Sequence, residues 1–277
     1  MSEITIKTAQ VGEIPILTMA QESSEERPIV FFLHGLGMDK RQGLPLGYEL
    51  ARLGFLFATI DAPRHGDRFD EKLEKMGRGE GEYVYPFESG LDLFFMLHEI
   101  VVQTAQDLER AIAYFDDKKA IDRKRIGVTG FSMGGFATFY AAANNPDVAA
   151  AVPIAAIPAF GERWSDVVLE ASAYQKWAAA MKKAEAETVK RTAFMERIDP
   201  FHKLATFHPR PLMMISGDQD IHAPKKYSVD LYRMLKPLYA QTPEGLRLSI
   251  HDEAGHELTP AMVEETRDWF DQHLLNR

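Results

Sequence analysis

The sequence contains no cysteine. Disulfides, thiolate nucleophiles, iron–sulfur clusters and zinc–cysteine sites are therefore excluded, and the absence fits a reducing, cytoplasmic setting. Basic charge is also in short supply. Against 41 Asp and Glu there are 32 Lys and Arg, a net charge of −9. A chain this acidic lacks the basic face that nucleic acid or an anionic membrane requires. Its compact basic cluster, Arg123-Lys124-Arg125, reads as a solvated turn before a strand. No apolar stretch is long enough to span a bilayer, since the longest, Val148 to Phe160, is broken by Pro153 and Pro158. The first residues, Met1 to Lys7, lack the basic-then-apolar layout of a secretion signal. Internal repeats and low-complexity tracts are missing as well.

What is present is a core. Of the 277 residues, 45% are apolar and 10% aromatic, enough for one large domain or one domain with an insertion. In the first twenty residues Ile4, Ile6 and Thr8 alternate with polar neighbours, Gly12-Glu13 is a turn signal and Ile14 to Met19 is a second extended run, which reads as two antiparallel strands. From Pro28 the pattern changes to short, continuous apolar runs: Pro28–Leu33, Phe55–Ile60, Arg125–Thr129, Ala149–Ala156, Pro211–Ser216 and Leu246–Ile250. Such runs suit strands buried on both faces of a parallel sheet. Helical patterns lie between them at Gln42–Leu53, Ser89–Phe115, Met133–Asn144, Pro224–Leu238 and Pro260–Leu274. The alternation predicts an α/β fold with a mostly parallel central sheet and helices on both faces.

Two segments break the alternation. Pro63 to Phe87 is a long polar loop, of a length usually reserved for function. Residues 160–203 read as an amphipathic helical insertion, with Val167, Ala171, Tyr174, Ala178, Met181 and Ala184 on its apolar stripe. The division expected is a core of residues 1–159 and 204–277 with a helical cap at 160–203. The stripe either packs on the core or serves as a lid.

Chemistry concentrates at the ends of the strands. Gly130-Phe131-Ser132-Met133-Gly134 lies between a predicted strand and a predicted helix, the setting of a nucleophile elbow. Ser132 would project from a tight turn at a helix N-terminus, where the Met133 N–H can receive an oxyanion. A serine hydroxyl is a weak nucleophile and needs a base, which in turn needs an orienting carboxylate. His256 follows the last strand and is the base expected. Asp218 and Asp220 both follow the strand before it, between serine and histidine in the chain. His34-Gly35-Leu36-Gly37 follows the first buried strand, and the Leu36 N–H is the second expected oxyanion donor, with His34 in a supporting part.

With these pieces the chain resembles the α/β-hydrolase superfamily. Within it, the chain is similar to small bacterial carboxylesterases of the dienelactone-hydrolase and prolyl-oligopeptidase-like group. The residues that carry the resemblance are HGLG at 34–37, DAPRHGDRF at 61–69, GFSMGG at 130–135, GDQDIHAP at 217–224 and GHELTP at 255–260. The resemblance implies a triad of Ser132, Asp220 and His256. It prefers Asp220 because the acid of such enzymes falls in G-x-x-D, which leaves Asp218 to brace the loop. It gives His65 a structural part in the loop beside the oxyanion hole. It further implies hydrolysis of short- to medium-chain acyl esters through an acyl-serine, with a small-molecule ester as partner and neither metal nor organic cofactor. Tyr83, Tyr85, Phe87, Trp164, Tyr174 and Trp177 are candidates to line the acyl pocket, with Met133 beside the serine. A peptidase or amidase, a thioesterase or an acyltransferase could use the same triad, and a binding protein could use the same fold without activity. Assembly into a homo-oligomer is left open by the sequence.

Overall fold

The computed structural model describes residues 3–69, 90–172 and 185–275. The pocket candidates Tyr83, Tyr85, Phe87, Tyr174 and Trp177, and the stripe residues Ala178, Met181 and Ala184, lie outside them.

Eight strands form one sheet: β1 (Ile4–Val11), β2 (Ile14–Gln21), β3 (Arg27–Leu33), β4 (Leu56–Ile60), β5 (Ile121–Phe131), β6 (Val148–Ile154), β7 (Leu212–Gly217) and β8 (Leu246–His251). Their order is β1-β2-β4-β3-β5-β6-β7-β8. The hairpin β1–β2 turns at Gly12, whose φ is 59°, and joins the edge antiparallel to β4. Every pairing from β4 onward is parallel. The apolar runs fall where expected. All five residues of β4 and all six of β7 are buried. β5 extends beyond the predicted run at both ends, and at its start the polar residues Asp122 to Lys124 escape a hydrophobicity reading.

Alternate side chains of these strands feed two cores. Ile29, Phe31 and Leu33 of β3 face one side, while Val30 and Phe32 face the other. The first side is covered by α2 (Gly90–Asp117), α3 (Met133–Asn144) and α6 (Lys226–Leu235), through residues such as Leu108, Phe139 and Leu231. The second is covered by α1 (Leu44–Arg52) and α7 (Pro260–Phe270), through Leu50, Met262 and Phe270. The helices lie on both faces, as the alternation predicted.

The segment expected as an insertion contains α4 (Phe160–Ser172) and α5 (Glu185–Ile198) among its described residues. Its inward row is Phe160, Trp164 and Val168, at four-residue steps. The predicted stripe began one position away, at Val167, which is half-buried. Trp164 is 1% exposed, stacks on Phe94 of α2 and donates its indole N–H to Thr192 Oγ1 of α5 at 2.8 Å. Asp166 of α4 accepts from Lys226 Nζ and Tyr227 Oη of α6. Among the described residues, no helix is long and apolar enough to cross a membrane.

Candidate active site

The strand order reverses at β3: the chain leaves it for β4 on one side and later returns as β5 on the other. Open α/β sheets bind ligands at such a switch, beyond the carboxyl ends of the strands. Leu33 pairs with Gly130 in register, so the loop after β3 lies beside the turn after β5. A Cβ on Gly134 would stand 1.9 Å from the Leu33 carbonyl oxygen. Only glycine lets the two loops approach this closely.

Ser132 sits on that turn with φ 53° and ψ −116°. A positive φ is costly for a non-glycine residue and persists only where its surroundings enforce it. Here the Ser132 N–H donates to the Ile154 carbonyl at 3.0 Å, and the Ser132 carbonyl accepts from Phe136 N–H at 2.9 Å. Ser132 is thus held between β6 and the first turn of α3, with its hydroxyl at the sheet edge.

His256 Nε2 lies 2.8 Å from Ser132 Oγ, and its Nδ1 lies 2.7 Å from Asp220 Oδ2. The second oxygen of Asp220 accepts the N–H groups of His222 and Ala223, each at 2.8 Å. Burial pushes the Asp220 carboxyl up, but the His256 hydrogen bond, the Ala223 and His222 N–H groups and the nearby imidazole charge outweigh it, and the net shift is downward. Its charged form is therefore favoured.

Asp218 does not compete for His256. Its N–H donates to the His251 carbonyl at 3.0 Å, while its Oδ1 is buried without a hydrogen-bond partner. The bracing expected of its side chain is supplied by Asp220 and by Gln219, whose N–H donates to the Ala254 carbonyl. Gly217 permits this crossing, since a Cβ there would stand 2.3 Å from the Ala254 oxygen.

Gly35 to Met38 form a turn closed by a 3.1 Å hydrogen bond, with Gly37 at φ 74°. Gln42 Oε1 accepts the Gly35 N–H at 2.8 Å. Leu36 occupies the turn's second position, and Met133 opens α3, where main-chain N–H groups lack intrahelical partners. The Met133 side chain itself is 1% exposed. His34 Nε2 accepts the Ala62 N–H at 2.9 Å and its Nδ1 faces the Gly35 carbonyl, which ties the β3 and β4 loops together. Burial lowers its pKa to about 4, so the ring is neutral. His65 is buried against it, with Nδ1 2.8 Å from the Pro63 carbonyl.

Sequence reasoning missed three parts of this surround. Lys40 Nζ reaches Asp61 at 2.6 Å and Asp67 at 2.8 Å, and Arg68 bonds Asp107, so charge pairs anchor the loop after β4. The Asp61–Phe69 motif was visible, but its cationic partner was not. His98 of α2 is buried among Phe94, Phe136 and Phe160 beneath the first turn of α3. A lone histidine in a helical pattern carries no such signal. Finally, Phe131 and His222 flank the His256 ring, with centroids at 5.1 Å and 5.2 Å.

Comparison with known proteins shows what the chain is similar to. A family model described as "Prolyl oligopeptidase family" matches residues 97–277. The "Putative esterase YitV" of Bacillus subtilis is 25% identical over 273 residues, spanning 98% of this chain and 100% of that protein. An acetyl xylan esterase from Paenibacillus sp. R4 superposes with a TM-score of 0.66 at 17% identity, covering 99% of this chain and 90% of the other. An acylaminoacyl peptidase of Pyrococcus horikoshii gives 0.65 at 16% identity, covering 98% of this chain but 42% of the other.

Proposed function

The chain belongs to the prolyl oligopeptidase family and is a serine hydrolase of the α/β-hydrolase fold, and from this premise we propose that it is a carboxylesterase of short- to medium-chain acyl esters, with Ser132, His256 and Asp220 as its triad. The observation that carries the reading is the unbroken hydrogen-bond chain from Ser132 Oγ through both nitrogens of His256 to Asp220.

Ser132 Oγ attacks the ester carbonyl as His256 Nε2 takes its proton. Asp220, charged and acceptor-only, stabilises the imidazolium that forms. The N–H groups of Leu36 and Met133 receive the oxyanion. His256 then protonates the departing alcohol, and a water repeats the sequence on the acyl-serine. The preference for esters is supported by the names of two relatives, an esterase of Bacillus and an acetyl xylan esterase. Residues 160–203 are proposed as a cap over the acyl pocket, and Tyr83, Tyr85, Phe87, Tyr174 and Trp177, outside the described residues, are kept as candidates for its lining. Trp164 leaves that group, because its ring is buried and its N–H is spent on Thr192.

A peptidase is the second reading, favoured by the family match and by the peptidase neighbour. Turnover of a p-nitrophenyl ester series from acetate to palmitate, beside p-nitroanilides of the same acyl groups, separates the two. The ester reading expects activity on short esters, little on anilides and none in Ser132→Ala. Faster turnover of anilides would replace it with the peptidase.

A further inference from the structure

Two rings enclose His256. Phe131, next to the nucleophile, meets it at a centroid distance of 5.1 Å and an interplanar angle of 41°. His222, two residues past Asp220, meets it from another direction at 5.2 Å and 61°. The first neighbour cannot carry charge, whereas the second can. His222 is exposed, whereas His34 and His98 are buried.

We propose that His222 is a positioning residue that acts through His256: neutral, its ring supports the base in place, and protonated, it opposes the charge that the base must acquire. The inference rests on the triad reading above.

As Ser132 Oγ bonds to the carbonyl carbon, its proton moves to His256 Nε2 and the ring becomes a cation. A neutral aromatic ring beside a cation is tolerated or favourable. A second imidazolium at 5.2 Å is a like charge and disfavours it. Among the described residues, the titratable groups set against His222 are Asp220, on its own loop, and His256, on the loop after β8. Asp220 is already committed, with Oδ2 to His256 and Oδ1 to two main-chain N–H groups. Among the described residues no carboxylate forms an ion pair with the His222 ring. Histidine is also the side chain whose charge changes within the ordinary working range of about pH 5 to 8. The competent enzyme is then the form in which both are neutral.

The structure also provides a clean perturbation. His222 serves Asp220 through its main-chain N–H, which survives replacement of the side chain. The test is the acid limb of log kcat/KM against pH for a p-nitrophenyl ester, in the unsubstituted enzyme, His222→Phe and His222→Gln. The proposal expects a limiting slope near 2 in the unsubstituted enzyme and 1 in both variants. Each pH unit further into acid then costs the unsubstituted enzyme about tenfold more than the variants. A slope of 1 in all three overturns it. An equal loss at every pH with the slope of 2 retained also overturns it, since that is the mark of a structural role alone. In parallel, histidine-labelled protein carrying Ser132→Ala is titrated by NMR. The His256 resonance is expected to move in two steps with His222 present and in one with His222→Gln; one step in both refutes the coupling. Failure of the enzyme to hydrolyse any ester would sink the proposed function alone, and the NMR titration would still decide the part of His222.

Discussion

Gly217→Ala is expected to disable the enzyme while leaving it folded. Gly217 ends β7, opposite His251 of β8, and lies under the loop that carries His256. Its backbone is not in the positive-φ region, so alanine adds no conformational strain of its own. The added Cβ would meet the Ala254 carbonyl oxygen at 2.3 Å and the Gly255 oxygen at 2.6 Å, where ordinary contact begins at 3.4 Å. The obstacle is backbone, so it cannot swing aside as a side chain could. The loop must retreat by about 1 Å, and His256 is the next residue after Gly255. A displacement of that order in a catalytic group costs roughly a hundredfold in rate. Overpacking of this size costs about 1–3 kcal/mol, a fall in Tm of about 3–10 °C. The assay is kcat/KM on p-nitrophenyl acetate together with a thermal melt. Gly255→Ala is the control, since nothing lies within 4 Å of the Cβ it would add. A Gly217→Ala enzyme with near-normal kcat/KM, or a Gly255→Ala enzyme equally impaired, would refute the reasoning.

Asp220→Asn retains the shape of the loop but removes the charge that stabilises imidazolium, and kcat should fall by about 10⁴ with little change in KM, measured by steady-state kinetics. His34 and His98 are held neutral by burial, with pKa values near 4 against 6.5 in an open chain. The unfolded chain therefore binds more protons than the folded one between those values, and stability declines as pH falls from about 6.5 to 4, by up to about 3 kcal/mol for each ring. Melts across that range should show the decline, and His98→Phe, which fits its aromatic surroundings, should flatten it by about half. Arg210 donates to the carbonyls of Ala142, in the last turn of α3, and of Asn145 and Val148 beyond its end. Arg210→Ala removes the guanidinium donors from those oxygens and should cost about 2–4 kcal/mol in denaturant melts, with kcat retained.

The parts of the fold that depend on local pattern were legible in the sequence. β3, β4 and β7 are buried on both faces and read as unbroken apolar runs. The helix Met133–Asn144 was bounded to the residue because the glycines of the elbow mark its start. Ser132 and His256 were legible for the same reason: each follows a strand on a glycine-marked turn. What escaped depends on contacts between distant segments. Asp218 and Asp220 differ by two positions in sequence, and only the crossing of the His256 loop over Gly217 aims one of them at the imidazole. Lys40 and Asp61 are 21 residues apart, and neither residue shows that the other neutralises it. Trp164 reads as a pocket aromatic until Phe94 and Thr192 are found against it.

The central claim is that Ser132 is a nucleophile activated by His256. Labelling with a fluorophosphonate, followed by intact-mass and peptide mass spectrometry, tests it most directly. One adduct is predicted on the peptide bearing Ser132, absent in Ser132→Ala and formed much more slowly in His256→Gln. Adduct formation that survives Ser132→Ala, or no adduct in the unsubstituted protein, would contradict it.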